Sequence, residues 1–80
     1  MRLDKFLKVS RLIKRRSVAN QACDMSRVEV NGKPAKPAKE LKTGDKISIR
    51  FGNKLLTVEV TSLTPSAKKD DADSMYKIIE

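Results

Sequence analysis

Histidine and tryptophan are absent from the 80-residue sequence, and cysteine occurs once, at Cys23. Without histidine, the chain lacks the usual zinc ligand sets and every Ser-His or Cys-His nucleophile pair. A single cysteine cannot form a disulfide within the chain, and we expect Cys23 to be a small core residue rather than a reactive thiol. These absences exclude most enzyme chemistry, so we expect a non-catalytic protein with no metal and no cofactor.

Long apolar runs are also missing. The longest are pairs such as Leu12-Ile13 and Leu55-Leu56, whereas a membrane-spanning helix needs roughly 20 apolar residues. We therefore expect a cytoplasmic protein that does not span a membrane. A chain of this length forms one domain and buries only about 60% of its unfolded surface, so a large enclosed active site is not expected. We expect a monomer.

The charge is unevenly distributed along the chain. The formal net charge is +8; residues 1–39 hold 11 Lys or Arg against three acids, whereas residues 40–80 hold seven of each sign. Residues 2–16 carry seven cations and one acid, Asp4. The seven cations are Arg2, Lys5, Lys8, Arg11, Lys14, Arg15 and Arg16. This density favours a nucleic acid partner, with a solvated surface, an acidic protein or a membrane surface as alternatives.

Helical periodicity covers the first part of this basic segment. At about 100° per residue, Leu3, Phe6 and Leu7 share one apolar arc, and cations lie on another side of the same helix. The period weakens after Val9. The following residues, 10–16, are therefore either a continuation of the helix or a turn.

A second helix is predicted at roughly residues 18–25. Ser17 is the predicted N-cap, because its hydroxyl can accept from a backbone N–H that the helix leaves unsatisfied. Val18, Ala22 and Met25 form one stripe, with Ala19 and Cys23 beside it. The small residues indicate close packing against the first helix.

From Arg27 onward the apolar period changes to two, which is typical of strands. The predicted strands include residues 28–30, 47–51 and 56–60. Pro34 and Pro37 each remove a backbone donor, so residues 33–39 form an extended loop or an edge strand. Residues 75–79 add either a final strand or an anchoring segment.

These elements predict an α+β fold in which two N-terminal helices pack on a small antiparallel sheet. The folded domain is expected to span residues 1–63. Residues 64–80 are expected to form a polar C-terminal extension, with residues 64–74 as a mobile linker or a short polar helix.

Base stacking is not predicted to dominate recognition, because the chain has only three aromatic residues. Binding of backbone shape fits this composition better. The turn at Asn31, Gly32 and Lys33 is either a solvated hairpin tip or a tip that touches RNA. Lys36 and Lys39 point to RNA contact more weakly.

Five segments together resemble a known family. They are RLDKFL at 2–7, RR at 15 and 16 with Ala19, RVEVNG at 27–32, KP at 36 and 37, and LKTGDKISI at 41–49. In this order they resemble the RNA-binding domain named after small-subunit ribosomal protein S-four, over about residues 2–60. The N-terminal stretch more narrowly resembles free-standing members, the family of RqcP and heat shock protein 15.

The resemblance implies the alpha-L RNA-binding fold and a function on the ribosome. Its members bind large ribosomal subunits still obstructed by peptidyl-tRNA and contact rRNA and tRNA. The quality control members hold that tRNA in the P position while RqcH directs alanine addition to the nascent chain. The site residues that match the family are Arg2, Lys5, Lys8, Arg11, Arg15, Arg16, Asn31, Gly32 and Lys33. The distribution of charge adds Lys14 and Lys36 to the candidate RNA-binding residues.

Two positions depart from the family pattern. Ser26 stands where glycine is usual, so the bend there is expected to be strained or differently made. Asn20 stands where a basic residue is common.

Two alternative functions remain open. They are a recycling factor of the heat shock protein 15 type, or a recognition module of an RNA-modification enzyme. Against the enzyme, Asp4 is expected to neutralise nearby cations or cap the first turn rather than act as a nucleophile.

Overall fold

The computed structural model describes residues 1–63 and 75–79. The helices are α1 (Leu3–Val9) and α2 (Arg16–Asp24). The strands are β1 (Val28–Val30), β2 (Lys33–Pro34), β3 (Lys46–Phe51), β4 (Lys54–Val60) and β5 (Tyr76–Ile78). They form one antiparallel sheet in the order β2-β1-β3-β4-β5. The predicted α+β fold is confirmed, and within the described ranges neither helix is long and apolar enough to cross a membrane.

Helix α1 buries one face completely. Leu3, Phe6 and Leu7 are all 0% exposed, as their spacing predicts. The helix ends at Val9, and the hydroxyl of the C-cap residue Ser10 donates to the carbonyl of Leu7. Arg11 then adopts a positive φ of 65° and redirects the chain. The segment between the helices is therefore a turn rather than a continuation of α1.

Helix α2 begins earlier than the sequence predicts. Arg16 is its first residue, and Arg15 occupies the N-cap position without a side-chain capping bond. The prediction of Ser17 as N-cap is therefore wrong, because Ser17 already lies inside the first turn.

The close packing of α2 predicted from its small residues is confirmed. Ala19 and Cys23 are buried in the core, and Ala22 packs at its margin. Val18 and Met25 are instead 47% and 59% exposed. Both α1 and β1 contact α2. The side of α2 that carries Ala19 and Cys23 is buried, whereas Val18 and Met25 face solvent.

Helix α2 ends in a tight bend at Ser26, which has a φ of 57°. The N–H of Ser26 donates to the carbonyl of Cys23 at 3.0 Å, and the N–H of Arg27 donates to that of Ala22 at 2.9 Å. This pair of bonds is the usual way to satisfy the last carbonyls of a helix, with glycine at the left-handed position. Serine makes the same bend here in a conformation that disfavours a side chain.

The core lies between the helix pair and one face of the sheet. In the register, Val28 pairs with Ile49, while Ile47 lies between Val30 and Val58. All five side chains are at most 5% exposed. The alternation of apolar residues in β1, β3 and β4 is therefore confirmed as the pattern that faces the core.

Two segments for which the sequence left alternatives open lie at the two edges of the sheet. Lys33 and Pro34 form the edge strand β2, which pairs with β1, and residues 35–39 follow as a loop. The C-terminal segment forms β5, which pairs with β4 after the fully buried Met75. The linker or helix predicted at residues 64–74 lies outside the described residues, and the domain boundary at residue 63 stays a prediction.

The start of the chain is joined to the segment that follows β2. The N–H of Leu3 donates to the carbonyl of Lys39 at 2.8 Å, and the N–H of Asp4 donates to that of Pro37 at 3.1 Å. The N-terminal ammonium of Met1 also lies 3.1 Å from a carboxylate oxygen of Glu40. These contacts place the first turn of α1 beside residues 36–40 and therefore beside their lysines.

Candidate nucleic-acid interface

The seven cations of residues 2–16 lie on α1, on the turn after it and at the start of α2. We call them the basic surface: Arg2, Lys5, Lys8, Arg11, Lys14, Arg15 and Arg16. Lys5 is partly buried and the other six are exposed. Among the described residues, only Arg2 and Arg16 of this set have a carboxylate within 4.0 Å. Five positive charges thus stand without a paired acid in the described part of the chain.

Asp4 is the centre of the basic surface, although it is 1% exposed. Its carboxylate lies 3.2 Å from Nε of Arg16 and 3.3 Å from Nε of Arg2. It also accepts from Nδ2 of Asn20 at 2.8 Å and from the backbone N–H of Lys5 at 2.8 Å. The prediction that Asp4 neutralises neighbouring cations is confirmed.

The surroundings of Asp4 keep it ionised. Burial raises the pKa of a carboxyl group, but the hydrogen bonds from Asn20, Arg16 and Lys5, with the charge of Arg16, outweigh burial. The pKa of Asp4 is therefore lowered from its ordinary value. A permanent negative charge at this point holds two guanidinium groups in place.

Arg16 is held from its ε nitrogen and remains open at its outer end. Its side chain is 47% exposed, and within the described ranges its two Nη atoms make no hydrogen bond. The planar outer edge of a guanidinium is the part that binds a phosphate. Arg2 is equally exposed and is held by the same carboxylate.

Asn20 supports this arrangement from α2. Its amide bridges the carboxylate of Asp4 and the backbone carbonyl of Arg16, at 2.8 and 3.2 Å. The departure from a basic residue at this position therefore has a structural role. Asn20 is uncharged, but its amide helps to hold the charged side chain of Asp4 in position.

The turn between β1 and β2 is stabilised by a second network. The side chain of Asn31 donates to Asp45 at 3.1 Å and accepts from the backbone N–H of Lys46 at 3.0 Å. Asp45 also accepts from the backbone N–H of Lys42, and this bond, with that from Asn31, lowers the pKa of Asp45 against a smaller effect of burial. Gly32 has a φ of 84° at the tip. The network fixes the direction of the hairpin and leaves its tip exposed.

Three lysines follow this tip. Lys33, Lys36 and Lys39 are exposed and line a shallow apolar groove of about 470 Å³ with Val30 and Pro34. None of the three has a carboxylate within 4.0 Å among the described residues. We call Lys33, Lys36 and Lys39 the lysine loop. It lies beside the first turn of α1, so the structure brings the lysine loop and the start of the basic surface together.

Sequence reasoning found the cations but missed the groups that position them. Asn20 lies 16 residues from Asp4, and Asp45 lies 14 residues from Asn31. No local pattern connects such pairs, because their contact depends on how the elements pack.

The matching family model is that of the S4 domain, which covers residues 1–47. The match includes both helices, the β1–β2 hairpin and the lysine loop. By fold and by site, this is a small protein built on an S4 domain with an exposed cationic face.

Comparison with known proteins identifies a particular family within this class. The RQC P-site tRNA stabilizing factor of Streptococcus pneumoniae is 57% identical over 99% of this chain and 90% of its own length. That of Bacillus subtilis is 51% identical over 100% and 93%, respectively. The trimeric structure of Vibrio cholerae heat shock protein 15 superposes with a TM-score of 0.90 at 30% identity, over 98% of this chain and 80% of that one. The chain belongs to the family of RQC P-site tRNA stabilizing factors.

Proposed function

We propose that this protein binds large ribosomal subunits that still carry peptidyl-tRNA, contacts rRNA and tRNA, and steadies the tRNA in the P position. The names of its relatives support a role at the P-site tRNA. The observation that carries the proposal for this chain is the carboxylate of Asp4, which holds the exposed guanidinium groups of Arg2 and Arg16 side by side.

The arrangement supplies two adjoining cationic regions. The basic surface lies on the helices, and the lysine loop lies beyond the hairpin. Phosphate contacts give affinity with little base discrimination, because counterion release does not depend on sequence. Selectivity then comes from two RNA surfaces that meet at one place, such as rRNA and a bound tRNA.

The proposal assigns no catalysis to the protein. Asp4 is occupied by four donors and is held in its charged form. Burial, with the nearby negative charges of Asp4 and Asp24, raises the pKa of the Cys23 thiol to about 11, so this thiol stays protonated at neutral pH. Both groups support a structural role, in keeping with an RNA-binding factor.

We further propose that the protein acts in the cytoplasm as a monomer and supports alanine tailing by RqcH. The contribution to tailing is tested in cells that lack the protein. Alanine tails on stalled chains should be lost, and restored by the wild-type chain. Tails that persist, together with an accumulation of obstructed large subunits, would instead favour a recycling role like that expected from the likeness to heat shock protein 15. Light scattering of the purified chain tests whether the protein is a monomer in solution.

Sedimentation tests the binding partner directly. The tagged protein is mixed with purified large subunits, with and without peptidyl-tRNA, at one salt concentration. We expect clear preference for the subunits that carry tRNA. Equal recovery with both would contradict the two-surface proposal and leave simple rRNA binding.

A further inference from the structure

A second groove, of about 440 Å³, lies away from the lysine loop. It runs between the turn joining the helices, the exposed side of α2 and the end of β3. Leu12, Val18, Ala22 and Phe51 form its apolar walls over the buried Ile49. Its volume falls within the range of about 300–1,000 Å³ that is typical of sites for small ligands.

Phe51 gives this groove an aromatic surface. The alternation of β3 places Phe51 on the core face with Ile49, but Phe51 is 44% exposed. Phe6 is fully buried and Tyr76 is partly buried. Among the three aromatic residues, Phe51 is the one whose ring is exposed.

The charged residues that line the groove are positive. Among the described residues they are Lys14, Arg27 and Arg50, and no acidic residue lines it. Arg50 pairs with Leu55 and belongs by register to the opposite face of the sheet, so Lys14 and Arg27 form the rim. None of the three cations has a carboxylate within 4.0 Å among the described residues. An apolar cleft with an unopposed cationic rim is complementary to a ligand with a flat apolar part and an anionic part.

A nucleotide has this combination of a flat base and a phosphate. Lys14 belongs both to the groove and to the basic surface, so an RNA strand bound along the basic surface reaches the groove without leaving the protein. An acidic peptide with an apolar side chain matches the charge as well, but it does not use the continuity with the basic surface.

We propose that this groove binds one unstacked nucleotide of the RNA, with the base against Phe51 and the phosphate at the rim formed by Lys14 and Arg27. The proposal rests on RNA binding by the basic surface. It adds a stacking contact to an interface otherwise made of phosphate contacts.

The test uses the full chain, labelled for NMR, and two probes. Adenosine 5′-monophosphate is titrated in parallel with ribose 5-phosphate, which has the same phosphate and no base. We expect shifts at the methyl groups of Leu12 and Val18 and at the ring of Phe51 with the nucleotide, and much smaller shifts with the sugar phosphate. Equal shifts with both probes, or none with either, would overturn the proposal.

Two variants separate stacking from folding. Phe51→Leu keeps an apolar side chain and removes the ring, so nucleotide affinity should fall at least about fivefold, the lower end for loss of base stacking. Leu55→Ala is the control, because Leu55 is also exposed but lies on the other face of the sheet and outside the groove. Affinity unchanged in Phe51→Leu would contradict the proposed stacking.

Other occupants give different results. Shifts of the same residues that grow with protein concentration alone would identify an interface between copies of the chain and overturn the proposal. Tighter binding of a short acidic peptide than of the nucleotide would do the same. If Arg16→Ala weakens binding to large subunits and Phe51→Leu does not, the groove proposal fails while the proposed function stands. If Arg16→Ala has no effect, the proposed function itself fails.

Discussion

Asp4 lies at the centre of the proposed interface and carries the charge that nucleic acid repels. Its burial and its four donors explain why it is present. A long arginine side chain loses conformational entropy when it binds phosphate, and a partner that already holds it reduces that loss. At the scale of single residues, removal of this negative charge should therefore weaken binding to RNA.

Asp4→Asn tests this prediction. The substitution raises the formal net charge above +8, and a purely electrostatic surface would then bind RNA more tightly. We expect weaker binding instead, by roughly fivefold or more, because Arg2 and Arg16 are then no longer held in place and lose more conformational entropy when they bind phosphate. Filter binding with rRNA at fixed salt measures the change. Tighter binding by a folded Asp4→Asn variant would contradict the positioning role.

The lowered pKa of Asp4 predicts a pH dependence of stability. A carboxyl whose pKa is lower in the folded state stabilises the fold above its unfolded pKa of about 3.9, and that contribution is lost as the pH falls through the folded pKa. The free energy of unfolding should therefore fall below about pH 4 more steeply in the wild type than in Asp4→Asn. Urea denaturation at pH 3 and pH 6 compares them. Equal pH dependence would show that Asp4 is not stabilised as an ion.

Phe6 is the largest fully buried side chain in the described core. Phe6→Ala should lower the free energy of unfolding by about 3–5 kcal/mol, which is a large share of the total for so small a domain. Phe51→Ala is the control, because that ring is 44% exposed and should change stability much less. Thermal denaturation followed by circular dichroism measures both. Similar midpoints for the two variants would contradict the packing of α1.

At the scale of elements, local sequence patterns predicted the features that depend on neighbouring residues, such as the buried face of a helix and the alternation of a strand. The spacing of Leu3, Phe6 and Leu7 predicted the buried face of α1, and alternation predicted β1, β3 and β4. The small residues of α2 predicted its close packing. The exposure of Val18 and Met25 was not predicted, because a stripe of apolar residues does not show how far the neighbouring elements extend. The predicted start of α2 was wrong. Serine is a residue type that often caps helices, but Ser17 lies inside the first turn rather than at the N-cap position.

The bend after α2 gives a prediction at the same scale. Ser26 has a φ of 57°, so Ser26→Gly should stabilise the protein by about 1 kcal/mol, since glycine adopts this conformation without steric cost. For a domain of this size the thermal midpoint should rise by roughly 4–8 °C. Ser17→Gly is the matched control and should destabilise by about 0.5 kcal/mol, because Ser17 lies within the helix. A loss of stability in Ser26→Gly would contradict the strained bend.

At the scale of the whole molecule, the excess positive charge lies on the helices and the lysine loop, on one part of the fold. The sequence predicted this concentration, since charge can be counted along a chain. It did not predict that Leu3 and Asp4 bond to the backbone of Lys39 and Pro37, which joins the two cationic regions. That arrangement depends on contacts between residues more than 30 positions apart, for which a single sequence has no signal.

The central claim is that the cations held at Asp4 bind the RNA of large subunits that carry peptidyl-tRNA. The most direct test measures the affinity of Arg16→Ala and Lys77→Ala for such subunits over a range of salt concentrations. Both substitutions remove one exposed positive charge, but Lys77 lies on β5, at the edge of the sheet opposite the hairpin. We expect Arg16→Ala to bind more weakly and to lower the salt slope by roughly one unit, while Lys77→Ala matches the wild type. Equal affinities and equal slopes for the two variants would contradict the assignment of the interface.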